Sequence, residues 1–225
     1  MNPGPDVRRR LCVEMLVVLG ISLGQSAVYA LLSLINKLTQ EVALNRQTTS
    51  INTSKTPDRP WLDLAYQVAN LVFPLVPVAL VLYLLWVYQR PPGGPLRSMG
   101  FDLRRPGFDL GIGSAVFVGI GAGGLVLYYA SRELGYNTSV SPANLAAAWW
   151  TVPMLLLLAV KNAVLEEVVM VGYLFTRWRQ TGGGIVAVLV GSALIRGAYH
   201  LYQGFGGFVG NVVMGILFGW LYLRT

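Results

Sequence analysis

The stretch Lys161-Asn162-Ala163-Val164-Leu165-Glu166-Glu167-Val168-Val169-Met170-Val171-Gly172-Tyr173-Leu174-Phe175-Thr176-Arg177 sets two adjacent carboxylates in an otherwise apolar run. An acidic side chain at the centre of a membrane helix costs roughly 2.5 to 3.5 kcal/mol, so a pair requires compensation. Intramembrane acids usually mark a pathway or a site; the structural alternative is an ion pair that joins helices. Neighbouring side chains on an α-helix point about 100° apart, so the two carboxylates do not share one direction. Glu166 falls on a polar stripe with Asn162, Tyr173 and Arg177, whereas Glu167 shares its face with Ala163, Val164, Met170, Val171 and Leu174. Glu166 is therefore expected to lead into a site and Glu167 to act as its structural partner.

The setting is a chain of 225 residues that is 54% hydrophobic and 12% charged, with a mean hydropathy of +0.56. That is about half the charge of a soluble domain, and it predicts an all-α, polytopic transmembrane helical bundle of about six helices. The apolar run Leu11 to Ile35 is too long for a signal-peptide core and contains Glu14, so it reads as a retained first helix. Residues 36 to 60, rich in Thr, Ser and Asn, predict a mobile loop. Further spans are expected at Trp61 to Tyr88, kinkable at Pro74 and Pro77, and at Leu110 to Ala130, where Gly119 and Gly123 suit a close helix approach. Ser141-Pro142 suits a helix start, and Trp149 and Trp150 an interfacial anchor for the helix running to Arg177. Two short helices, Ile185 to His200 and Phe208 to Leu223, complete the chain. The expected division is a two-helix region over 1–95 and a core over 96–225.

The formal net charge of +7 raises the question of nucleic acid, but the basic residues form short clusters in the loops rather than one patch. No nucleic-acid partner is expected. With a cytoplasmic amino terminus, the inside segments hold Arg8, Arg9, Arg10, Arg90, Arg97, Arg104, Arg105, Arg177, Arg179 and Arg224, against Lys37, Arg46, Lys55, Arg59 and Arg132 outside. The positive-inside rule therefore puts both ends of the chain in the cytoplasm, with the plasma membrane as the expected location and membrane lipid as a partner. The one cysteine, Cys12, allows no intrachain disulfide and reads as a small buried hydrophobe.

The fifth helix supplies a complement to the carboxylates: Ser192, Arg196, Tyr199, His200 and Gln203 recur at spacings that make one polar face. At 1.5 Å per residue, Glu166 and His200 lie roughly 16 and 22 Å from the cytoplasmic helix ends, close enough to meet in a tilted hairpin. A carboxylate in a low-dielectric setting can take a proton from water as a general base, and His200 can share that proton, bind a metal or stabilise an oxyanion. Catalytic zinc usually has three protein ligands, whereas His200 is the single histidine and no H-E-x-x-H occurs.

These residues resemble the intramembrane proteases grouped as CAAX prenyl proteases and bacteriocin-processing enzymes (the CPBP, or abortive-infection, family). Glu166-Glu167-Val168-Val169-Met170-Val171-Gly172 resembles the family's E-E-x-x-x-R motif, and Arg196-Gly197-Ala198-Tyr199-His200 its F-x-x-x-H motif. The stretch Met99-Gly100-Phe101-Asp102-Leu103-Arg104-Arg105 is similar to the cytoplasmic loop that precedes the core helices. The resemblance, which covers about residues 95 to 225, implies an endopeptidase acting on membrane-associated peptides, CAAX-like ends or leaders. It implies Glu166, Glu167, Arg196 and His200 as the catalytic set, with zinc held by Glu166 and His200 if metal is used. Val171 stands where the motif has arginine, and Arg196 where it has phenylalanine. Arg196 is accordingly expected to reach across and pair with Glu166 or Glu167. The family's last motif, a histidine followed four residues later by a polar residue, has no counterpart before Thr225, so the chain is expected to be truncated ahead of that helix.

Two other functions fit the same residues. One is a non-catalytic relative that binds a membrane partner; the other is a small proton-coupled transporter using Glu14, Lys161, Glu166, Glu167 and Arg196 as a relay. No internal repeat of the transporter kind is visible.

Overall fold

Proline opens several of the long helices, where its missing N–H and fixed φ suit the first turn. A computed structural model describes residues 4–102, 104–145 and 147–224, so Leu103 of the loop stretch and Thr225 lie outside the described residues. α1 (Pro5–Gly20) and α2 (Leu23–Leu38) come first. They are bent by 52° at their break, so the first apolar run is a broken span rather than one helix. Ser22 Oγ donates to Val18 O at 2.6 Å beside the break, giving the interrupted turn a side-chain partner. Cys12 is partly buried against the core.

α3 (Pro60–Val72) and α4 (Val76–Gln89) form one 30-residue span with a 3-10 turn at Phe73–Leu75, around Pro74. After the short α5 (Pro95–Ser98) comes α6 (Pro106–Glu133), a 28-residue helix at the periphery. α7 (Thr151–Glu166), a π-helical turn (Glu167–Tyr173) and α8 (Leu174–Gln180) run on as one rod. α9 (Ile185–Ala198) and α10 (Phe205–Arg224) follow. Among the described residues, three helices are long and apolar enough to cross a membrane, and the bent α1–α2 pair makes a fourth. The protein is an all-α membrane bundle.

Two loops depart from expectation. The segment read as mobile carries β1 (Thr48–Thr53), which pairs in parallel with β2 (Ser139–Asn144), with Thr49 opposite Val140. Ser141-Pro142 lies inside β2 and opens no helix; proline is tolerated there because a two-stranded sheet is all edge. The backbone groups of two polar loops thus satisfy one another and form a cap over one end of the bundle.

The π-helical turn sits at the centre of the core: Val169, Met170 and Tyr173 are fully buried, against Val18 of α1 and Val81 and Leu85 of α4. Met99, after α5, packs on Gly172, where an added Cβ would meet its sulfur at 2.5 Å. The expected close approach at Gly119 and Gly123 is absent, since nothing lies within 4 Å of a Cβ at either. Both line an apolar groove of about 700 Å³ between α6 and α10. Glycines that do bring helices together include Gly197, against Val212 and Phe208, Gly215, whose Cβ would meet Ala193 Cα at 2.8 Å, and Gly219, against Leu189 and Phe175.

Candidate active site

Glu166 ends α7 and Glu167 begins the π-helical turn, and this junction arranges everything around them. A π turn spends one extra residue per turn, which rotates the helix beyond it by about 100° relative to an unbroken α-helix. The polar stripe expected from the sequence is therefore divided. Tyr173 Oη donates to Glu14 Oε1 at 2.9 Å, and Arg177 Nε donates to the same oxygen at 2.8 Å. Arg177, 2% exposed, also donates to Gln180 Oε1 and Leu84 O and lies over the Tyr88 ring at 5.4 Å. Asn162 is exposed on the bundle surface. Tyr173 and Arg177 thus belong to a separate cluster around Glu14, which ties α1 to α8 and takes Glu14 out of a relay with Glu166.

What faces Glu166 and Glu167 instead is Arg196 of α9. Its Nη2 lies 2.7 Å from Glu166 Oε2 and its Nη1 3.0 Å from Glu167 Oε1, so one guanidinium bridges the two carboxylates. The planar fork makes this possible, because two nitrogens serve two acceptors from one rigid group. Side-chain exposure runs from 6% at Arg196 through 16% at Glu166 to 34% at Glu167, which makes Glu166 the more enclosed acid. The Phe218 ring lies 4.9 Å from the guanidinium carbon. Ser192 Oγ, one turn back, donates to Met170 O at 3.0 Å, giving a carbonyl of the π turn a partner and pinning α9 to it.

His200 follows α9 with Nδ1 3.0 Å from Arg196 O. Since a carbonyl can only accept, Nδ1 carries the hydrogen and Nε2 is the free nitrogen. The imidazole lies between the rings of Tyr199, at 4.7 Å, and Tyr202, at 6.1 Å. It is near enough to Glu166 to feel its charge.

The 3-10 turn Leu201–Gln203 that holds His200 is gripped by the cap. Lys37 Nζ donates to Tyr202 O at 2.6 Å and to Thr49 Oγ1. Thr138 donates to Gln203 O through N–H at 2.9 Å and through Oγ1 at 3.0 Å. Asn137 Oδ1 accepts from the Gly207 N–H at 3.1 Å, and Asn137 and Thr138 are 2% and 0% exposed. Gly204, at φ +116°, leaves no room for a side chain against Tyr136 O. None of Lys37, Thr49, Asn137 or Thr138 stands out in the sequence, because polar residues in polar loops carry no signal of what they grip.

The site brings together all four expected residues, Glu166, Glu167, Arg196 and His200. Glu166 and His200 would supply two of the three protein ligands that catalytic zinc usually has. The guanidinium occupies the space between the two carboxylates. Among the described residues no three His, Cys, Asp or Glu side chains cluster as a metal site. What the arrangement offers is an enclosed carboxylate next to a fixed imidazole, with the pair's charge partly balanced by one arginine.

Residues 148–225 match the model of the family described as Type II CAAX prenyl endopeptidase Rce1-like, a match that runs from just before α7 to the end of the chain. No curated protein and no solved structure matches the chain. Glu166, Glu167, Arg196 and His200 all lie within the third of the chain that resembles the Type II CAAX prenyl endopeptidase Rce1-like family.

Proposed function

We propose that this chain is an intramembrane endopeptidase that hydrolyses membrane-associated peptides with Glu166 as general base. The observation that carries the proposal is the enclosed Glu166, bridged by Arg196 and neighboured by His200, inside the region that matches the protease family. In this mechanism Glu166 takes a proton from water, and the water oxygen attacks the scissile carbonyl carbon. Arg196 holds Glu166 and Glu167 in register and keeps two adjacent anions from repelling each other. His200 presents Nε2, the nitrogen able to take up a proton and, once charged, to donate to the oxygen that becomes negative. Prenylated carboxyl termini and leader peptides are the substrate classes that the family points to.

The test is cleavage of a membrane-anchored peptide library by the reconstituted chain, with Glu166→Gln as control. The variant keeps size and polarity but accepts no proton, and its turnover is expected to fall by about 10²- to 10⁴-fold, the usual contribution of a general base. A second function draws on the same bridge, since an arginine shared by two carboxylates is also how an ion pair would tie α7 to α9 in a partner-binding relative. A folded chain that cuts no member of the library, with and without Glu166→Gln, would favour that function.

A further inference from the structure

Two buried polar atoms of the site have no hydrogen-bond partner: Tyr199 Oη and Arg196 Nε. Tyr199 is 6% exposed, so its hydroxyl is not served by bulk water. Leaving such a group unpaired costs about 1 to 3 kcal/mol. Phenylalanine would pack the same space without that cost. Every other part of Tyr199 has a role in the fold: its N–H donates to Ile195 O at 3.1 Å, and its ring packs in the core and against His200. The hydroxyl is what remains: Glu166 is its hydrogen-bonding neighbour, but the contact falls short of good hydrogen-bond geometry and leaves the hydroxyl unsatisfied. A buried water needs two to four polar partners; here a carboxylate acceptor and an uncommitted hydroxyl stand next to each other.

We propose that Tyr199 is a catalytic residue, its hydroxyl and the Glu166 carboxylate together holding the water that attacks the peptide. This rests on the assignment of Glu166 as general base. Tyr199 hydrogen-bonds the water oxygen and aims it, and keeps its own proton throughout. Glu166 removes one proton from the water as the oxygen–carbon bond forms and the carbonyl π pair moves onto its oxygen. When the tetrahedral species collapses, the carbon–nitrogen bond breaks and the proton held by Glu166 passes to the departing amine.

The experiment compares wild type, Tyr199→Phe and Glu166→Gln in lipid nanodiscs, with a membrane-anchored fluorogenic peptide that the wild type cleaves and with a thermal melt of each. Tyr199→Phe is expected to lose about 10- to 100-fold in kcat, the scale of a misplaced reactant. Its KM should stay within about twofold, as for an interaction made only on the way to the transition state. Its melting temperature should equal or exceed that of wild type. A Tyr199→Phe variant with wild-type kcat overturns the role of Tyr199 while leaving Glu166 in place. One that melts lower or fails to fold shows that the hydroxyl serves the fold, and overturns the proposal as well. A folded wild type that cleaves no peptide of the library overturns the assignment of Glu166, and that of Tyr199 with it.

Discussion

Arg196 is the side chain on which the site's charge balance turns. Changing it to leucine leaves Glu166 and Glu167 adjacent and uncompensated, which is expected to destabilise the fold by about 3 kcal/mol, the low end for a broken buried pair because Glu167 still reaches the surface. Adding Glu167→Gln should recover part of the loss in a thermal or denaturant melt, and no recovery in the double variant would show that the two charges are not coupled. Arg196→Lys should recover less than wild type, since one ammonium cannot present the fork that bridges both acids. The partnership of Arg196 with the glutamates was legible through the motif resemblance, because Val171 stands where the motif has arginine and Arg196 offers the missing cation from the next helix. The separation of Tyr173 and Arg177 from Glu166 was not. It depends on the π-helical turn, and Glu167 to Tyr173 carries no residue pattern that distinguishes a π turn from α-helix.

At the level of elements, two glycine pairs with the same spacing meet opposite fates. Gly119 and Gly123 border an open groove, whereas Gly215 and Gly219 press against α9 and α8. Spacing announces a face without side chains, but it does not say what approaches that face. Gly215→Ala should therefore cost about 1 to 3 kcal/mol, because its Cβ would collide with the backbone of Ala193. Gly119→Ala should be neutral or stabilise by about 0.5 to 1 kcal/mol, since it removes a glycine from a helix interior without a clash. Melting temperatures in detergent check both, and a destabilised Gly119→Ala would mean that α6 packs more tightly than described. Apart from the first run, read as one helix but broken into α1 and α2, the long helices were legible from hydropathy to within a few residues. β1 and β2 were not, because Thr, Ser and Asn in loops suggest polarity rather than a pairing between segments far apart in the chain.

For the molecule as a whole, the cap couples the chain's first loop to the turn that holds His200. Lys37→Met removes the donor to Tyr202 O and Thr49, contacts of a charged group worth about 1.5 to 3 kcal/mol each at most. It is expected to lower both the melting temperature and the rate of peptide cleavage, as the turn that holds His200 loosens; unchanged cleavage would show that the cap serves stability alone. The topology expected from the basic residues puts Arg10 inside and the first loop outside, so a cysteine placed at exposed Ser50 should label from the opposite face to one at exposed Arg10 in a Cys12→Ser background; labelling of both from one face would overturn that topology.

The rod from Thr151 to Gln180 is not among the helices long and apolar enough to cross a membrane by themselves, and although Lys161 on the rod also acts on Glu166, the guanidinium that bridges its two acids comes from Arg196, on the helix after it. The rod is therefore expected to insert into lipid more favourably together with α9 than without it, which membrane insertion of the rod measured with and without α9 would test. The bridge that organises the site would then also favour insertion of the two helices as a pair, and Arg196→Leu should lower that insertion; an unchanged yield would show that insertion does not depend on the bridge.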